Sequence, residues 1–251
     1  MGQRFQDKIV LITGAGSGIG LSAAEHFLEE GATVVGTMLT SPKTAFTDRA
    51  DEFPGKCLSL RLDATDSTQV RRLADEVLER FGRIDILVNN AGIHETGSVL
   101  EMEEAVWDRM VAVNLKSVYL MSRAVIPSMQ KHGGGAIVNL ASRTGHQVSE
   151  HLACYCATKA AVIQLTKQMA LDFAGDNIRV NCVVPGMVET PMLGRIFAGE
   201  PERKERVREG YPMKRFARAE EIAKAILFLA GDDASFMTGG ELRLDGGRGV
   251  I

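Results

Sequence analysis

Tyr155 and Lys159 stand four residues apart in Ala153-Cys154-Tyr155-Cys156-Ala157-Thr158-Lys159, a run with the composition of a helix's first turns. That spacing places both side chains on one helical face. A free phenol ionises near pH ~10 and is a poor base at neutral pH. A neighbouring ammonium favours the phenolate and draws that value down. The pair is therefore a candidate proton-transfer unit, with the lysine expected to lower the tyrosine's pKa.

A second cluster lies near the start of the chain, in Thr13-Gly14-Ala15-Gly16-Ser17-Gly18-Ile19-Gly20. An apolar, β-branched run at 9–12 precedes it, and residues 21–28 follow with helical apolar spacing. Strand, glycine turn and helix form the setting of a dinucleotide site. The glycines allow a tight turn and close approach to a pyrophosphate, and the helix N-terminus offers free N–H groups and a positive dipole end. The spacing is G-x-x-x-G-x-G from Gly14 rather than G-x-G-x-x-G.

These clusters need a scaffold, and the pattern supplies one. Strand-like runs fall at 9–12, 33–37, 57–62, 84–88, 136–140, 178–184 and 241–244. Most are short and continuously apolar, as in strands buried on both faces. Helical spacing occupies 67–81, 103–129 (two helices or one bent one), 155–173 and 220–230. Regular alternation predicts an α/β fold, a Rossmann-type doubly wound parallel sheet of about seven strands with helices on both faces. No linker or repeat divides the 251 residues, so a single domain is expected over 1–251. Between Pro185 and Arg218 the pattern contains no strand, and residues 190–215 are placed to act as a substrate lid.

Composition excludes several roles. The hydrophobic fraction is 45%, the charged fraction 24% and the net charge −3. Such a balance argues against nucleic acid or an anionic membrane surface as partner. No apolar run approaches the ~20 residues of a membrane span. The first residues carry no apolar signal region, and Gln6 stands where a myristoylation signal wants Ser or Thr, so a cytoplasmic location is expected. The four cysteines read as free thiols, with Cys154 and Cys156 on different sides of a helix and no metal site.

Further motifs complete a family pattern: Asp63 in Leu62-Asp63-Ala64, Asn89-Asn90-Ala91-Gly92, Asn114 in Val113-Asn114-Leu115, Ser142 after the fifth strand, and Pro185-Gly186. Together with Thr13, the glycine loop and the Y-x-x-x-K pair, they resemble the short-chain dehydrogenase/reductase family along essentially the whole chain. The resemblance implies hydride exchange between NAD(P) and an alcohol or carbonyl group. It implies four catalytic residues: Tyr155 as general acid/base, Lys159 lowering its pKa and holding the ribose, Ser142 bonding the substrate oxygen, and Asn114 holding the bent helix and a water. It implies a cofactor set of Gly14, Ser17, Gly18, Ile19, Gly20, Asp63, Ala64, Asn90, Ala91, Gly92, Tyr155, Lys159, Pro185, Gly186, Val188 and Thr190. The family's common tetramers imply a homo-oligomer.

One position departs from the pattern. Met38 stands where an NAD-binding member carries an acidic residue for the ribose 2′-hydroxyl. No carboxylate there repels a 2′-phosphate, and Thr37, Thr40, Ser41 and Lys43 are candidates to bond one. The usual basic markers are absent, with Ser17 in the loop position where many NADP enzymes have Arg or Lys. The expectation leans to NADP.

Residues at the strand ends that would face a substrate are Ile93, His94, Glu95, Arg143, Gln147, His151, Leu152 and Met187. Their mixed character predicts a compact oxygenated substrate. Arg143 is the candidate for an anionic group, or else faces solvent or pairs with Glu150. The alternatives are a 3-oxoacyl thioester (acyl-carrier-protein) reductase and a nucleotide-binding regulatory protein without turnover.

Overall fold

A computed structural model describes residues 3–40 and 45–250. Its centre is a seven-stranded sheet in which every neighbouring pair is parallel. The strands are β1 (Ile9–Thr13), β2 (Thr33–Met38), β3 (Cys57–Arg61), β4 (Ile86–Asn89), β5 (Gly135–Leu140) and β6 (Ile178–Pro185). Strand β9 (Glu241–Leu244) completes the sheet; β7 (Val188–Glu189) and β8 (Ala217–Arg218) lie outside it. The order is β3-β2-β1-β4-β5-β6-β9. The chain winds outward from β1 to β3 and returns beside β1 as β4. That reversal opens a crevice at the carboxyl ends of β1 and β4.

Alternate residues of each strand enter opposite cores. Val10 and Ile12 join Val34, Val88 and Val138 against Phe27 and Leu28 of α1 (Gly18–Glu29) and Ile222 and Ile226 of α9 (Ala219–Ala230). Ile9 and Leu11 join Leu87, Ile137 and Val180 on the other face. There they meet Val70, Leu73 and Val77 of α3 (Ser67–Phe81), Val125 of α5 (Ser117–Lys131) and Val162 of α6 (Ala153–Phe173). Strand β1 is buried throughout, which explains its unbroken apolar sequence.

The stretch expected to be two helices or one bent one is continuous but irregular. Helix α4 (Glu104–Val111) passes through a π turn over Ala112–Lys116 into α5. Between Pro185 and Arg218, where no strand was expected, β7 pairs in parallel with β8. Two residues are too few to carry a periodic signal, so only the tertiary pairing reveals them. The segment between them folds as α7 (Pro191–Ile196) and α8 (Pro201–Glu209), and a short α2 (Ala45–Asp48) follows β2. No helix among the described residues is long and apolar enough to cross a membrane, and no described residues cluster as metal ligands. All four cysteines are free.

Candidate active site

The crevice is a cavity of about 930 Å³ walled by both motif clusters and by the segment after β6. Its floor is stitched together by Thr13. The Thr13 hydroxyl accepts from the N–H groups of Asn90 and Ala91, each at 3.0 Å. Asn90 Nδ2 donates in return to the carbonyls of Thr13 (2.9 Å) and Gly14 (3.1 Å). The ends of β1 and β4 are thereby locked to each other.

The glycine loop fits a dinucleotide. Gly14 (φ +70°) and Gly18 (φ +57°) hold left-handed backbone, and a Cβ on Gly18 would come 3.1 Å from Thr190 Cγ2. Helix α1 begins at Gly18 with no side-chain cap from Ser17, so its first N–H groups are available to an anion. Gly14, Ser17, Gly18, Ile19, Asp63, Ala64, Asn90, Ala91, Gly92, Tyr155, Lys159, Pro185, Gly186, Val188 and Thr190 all line the cavity. Gly20 does not. A Cβ there would fall 2.3 Å from the Gly14 carbonyl oxygen, so Gly20 serves the packing of α1 under the loop.

Several expected contacts are already engaged within the chain. The Asp63 carboxylate accepts from Thr65 N (2.9 Å) and Oγ1 (2.7 Å). Thr190 caps α7, accepting from Leu193 N and donating to the Val188 carbonyl. Met38 ends β2 and is buried, while Thr37 turns its hydroxyl into the sheet toward the Ile12 carbonyl. Thr40 is exposed; Ser41 and Lys43 lie outside the described residues.

At the other end, α6 delivers Tyr155 and Lys159, and β5 delivers Ser142 just past its end. Tyr155 and Ser142 line the same cavity, and the Ser142 hydroxyl accepts from Thr144 N (3.2 Å) and Thr144 Oγ1 (2.9 Å). Lys159 is buried; its Nζ donates to the Leu140 carbonyl at 2.7 Å and lies 5.7 Å from the Tyr155 ring centroid. Among the protein's own groups, burial raises the Tyr155 pKa to about 12, with the nearby Ser142 hydroxyl opposing it. Burial lowers Lys159 to about 8. In the protein without cofactor, desolvation is the first cause of both shifts, upward for the Tyr155 phenol and downward for the Lys159 ammonium.

Asn114 occupies the π turn, buried and one layer behind the cavity wall. It bonds the backbone of Ile93 in both directions and reaches Thr158 Oγ1 at 3.5 Å. A Cβ on Gly92 would meet Asn114 Oδ1 at 3.4 Å and Lys159 Nζ at 3.7 Å, so the two side chains flank Gly92.

Of the candidate substrate contacts, Ile93, His94, Arg143, His151, Leu152 and Met187 line the cavity. His94 leans on the Tyr155 ring, centroids 4.8 Å apart, and burial lowers its pKa. Glu95 does not line the cavity; it pairs with Arg109. Arg143 bonds Gln147 rather than Glu150. The sequence reading missed Thr13 as a fastener, although it opens the glycine motif. It also missed Arg195, Arg203 and Val207 from α7 and α8, and Arg248 from beyond β9. No local pattern marks these residues, which reach the cavity only through the tertiary fold.

Comparison with known proteins agrees with this geometry. A family model described as enoyl-(acyl carrier protein) reductase matches residues 14–248. The chain is 41% identical to a 3-oxoacyl-[acyl-carrier-protein] reductase of Thermotoga maritima, covering 97% of this chain and 98% of that protein. It is also 41% identical to a meso-2,3-butanediol dehydrogenase of Serratia marcescens, with coverage of 97% and 95%. The solved aldohexose dehydrogenase of Thermoplasma acidophilum superposes with a TM-score of 0.92 at 34% identity, over 100% of this chain and 97% of that one. The chain belongs to the short-chain dehydrogenase/reductase family and is an oxidoreductase that exchanges hydride between NAD(P) and a CH–OH or carbonyl carbon.

Proposed function

We propose that the protein interconverts a compact oxygenated alcohol and its carbonyl form, with Tyr155 as general acid/base and NADP as the preferred cofactor. The bound nicotinamide supplies the hydride chemistry. Gly14, Ser17, Gly18 and Ile19 form the pyrophosphate turn, with Gly20 packed beneath it. Asp63 and Ala64 flank the adenine, and Asn90, Ala91 and Gly92 form the wall between. Pro185, Gly186, Val188 and Thr190 border the carboxamide.

The observation that carries this reading is the convergence of the Ser142 and Tyr155 hydroxyl-bearing side chains and Lys159 on one cavity wall, with Lys159 Nζ 5.7 Å from the Tyr155 ring centroid. A substrate oxygen placed between these hydroxyls meets two donors at once. Tyr155 gives its proton to a carbonyl oxygen during reduction or takes one from a hydroxyl during oxidation. Ser142 steadies the charge that develops on that oxygen. Lys159 holds the ribose and supplies positive charge beside the phenol. Asn114 positions both groups by holding the backbone beyond Gly92.

A compact substrate is favoured by the walls. Met187, Leu193, Ile196 and Val207, from β7's approach and helices α7 and α8, converge on the same cavity as His94 and Leu152. Residues 190–215 act as the lid. The NADP preference is supported by Met38 in place of a carboxylate. It is further supported by Arg61, the register partner of Met38, whose Nε donates to the Leu39 carbonyl at 3.1 Å. We also infer a single domain and a cytoplasmic homotetramer, for which exposed Trp107, Tyr119, Phe228 and Phe236 offer apolar contact surface. Light scattering in solution tests the tetramer.

The test of function is a panel of small diols, hydroxy acids and ketones alongside a 3-oxoacyl thioester, each with NAD and NADP, followed by absorbance of the reduced cofactor. Higher kcat/KM on a compact substrate with NADP is the expected result. A best substrate among the long thioesters would favour the acyl-carrier-protein reductase instead.

A further inference from the structure

Two guanidiniums on the cavity wall have no carboxylate partner among the described residues. Arg143 follows Ser142 directly and is half-buried; its Nη1 donates to the neutral Gln147 Oε1 at 3.2 Å. Arg248, beyond β9, is also half-buried; its Nη1 donates to the Gly210 carbonyl at 2.7 Å. Both line the cavity that contains Ser142 and Tyr155. Gln147 Nε2 donates to the Gly249 carbonyl at 3.2 Å, so one amide side chain fastens the two arginine-bearing turns together.

Among the described residues, neither arginine has a carboxylate within ion-pairing distance, whereas Arg83, Arg109 and Arg215 each do. The carboxylates on the cavity wall are Asp63, committed to Thr65, and the exposed Glu150. A guanidinium has five N–H donors, and each of these two spends one nitrogen on a neutral acceptor. Half-burying two such charges without a partner is unfavourable, and an anionic ligand relieves the cost.

We propose that Arg143 and Arg248 form a subsite for a carboxylate or sulfonate on the substrate, making short hydroxy or oxo acids the substrate class. The proposal rests on the reading that substrate binds beside Ser142 and Tyr155. The charged group stays outside the redox step. The carbinol carbon gives its hydride to NAD(P)⁺, its hydroxyl proton passes to Tyr155, and the C–O bond becomes C=O.

The test compares 3-hydroxybutanoate, its amide and the matching sulfonate. Binding is read by saturation-transfer NMR and turnover by kcat/KM, in wild type, Arg143→Gln and Arg248→Gln. At least one acid should bind and turn over roughly tenfold better than the amide, and each variant should erase most of that ratio. The preferred acid then identifies the anion. Equal binding of acids and amide, or a ratio unchanged in both variants, would overturn the proposal. An acid that binds selectively but is never oxidised would overturn the redox reading and leave the subsite standing. Where a variant does not fold, a sodium chloride titration of wild type replaces it. Acid binding should weaken with salt while amide binding does not, and salt-independent acid binding would contradict the subsite.

Discussion

Asn114 holds Ile93 by both of its backbone groups. Its Oδ1 accepts from Ile93 N at 2.8 Å, and its Nδ2 donates to the Ile93 carbonyl at 3.0 Å. The π turn brings a buried side-chain amide to the backbone that continues from Asn90, Ala91 and Gly92. Asn114→Leu keeps the volume and removes both bonds. Each orphaned buried backbone group costs about 1–3 kcal/mol. We expect Tm to fall by several degrees and kcat/KM by at least about tenfold, because displacement of the cavity wall misplaces the reactants. Thermal unfolding and steady-state kinetics check this; unchanged values in both would leave the amide without a positioning role.

Lys159 carries a stability cost that function imposes. Burial lowers its pKa to about 8 from an ordinary 10.5. For a base with a lowered folded pKa, the penalty is fully present below pH 8. It disappears as pH rises to the ordinary lysine range, since the unfolded chain holds the proton longer. Its size is on the order of 3 kcal/mol, against about 1–2 kcal/mol for the donor that the Leu140 carbonyl would lose. Lys159→Met should therefore be inactive yet melt a few degrees higher at pH 7, with the advantage shrinking between pH 8 and 10.5. A lower Tm at pH 7 would show that the buried ammonium stabilises the fold and would contradict the penalty.

Reaction direction should depend on pH. With Tyr155 raised to about 12, the phenol form dominates at neutral pH. Carbonyl reduction, which needs the phenol, should be level from pH 6 to 8. Alcohol oxidation, which needs the phenolate, should climb by up to about tenfold per pH unit across the same range. Log kcat/KM against pH in both directions is the measurement, and a level oxidation limb from pH 6 would mean that Tyr155 ionises far lower when the site is assembled.

The main strands were legible because burial on both faces demands unbroken apolar runs, as in Ile9 to Ile12. The two-residue pair Val188–Glu189 and Ala217–Arg218 was not, since its register comes from tertiary contact alone. Spacing placed Tyr155 and Lys159 on one helical face but said nothing of depth. Lys159 is buried while Tyr155 is half-buried on the cavity wall, and such desolvation acts on both groups in a way that spacing alone does not show. Arg143 stood out beside Ser142, whereas Arg248 reaches the cavity from a turn far along the chain, and no local signal marks it.

Met38→Asp tests the 2′ pocket. A carboxylate at the end of β2 would accept from a ribose 2′-hydroxyl and repel a 2′-phosphate. The ratio of kcat/KM for NADP over NAD should fall at least about tenfold. A ratio that stays within twofold would assign the 2′ group to other residues, Arg61 first among them.

The central claim is that the Tyr155 phenol moves the proton. Tyr155→Phe keeps the ring against His94 and deletes the hydroxyl that shares the cavity with Ser142. Reduced-cofactor binding, followed by fluorescence titration, should be retained within a few-fold. Single-turnover hydride transfer should slow by about 10²–10⁴-fold, the range for loss of a general acid–base group. Hydride transfer near the wild-type rate, with cofactor binding intact, would contradict the mechanism.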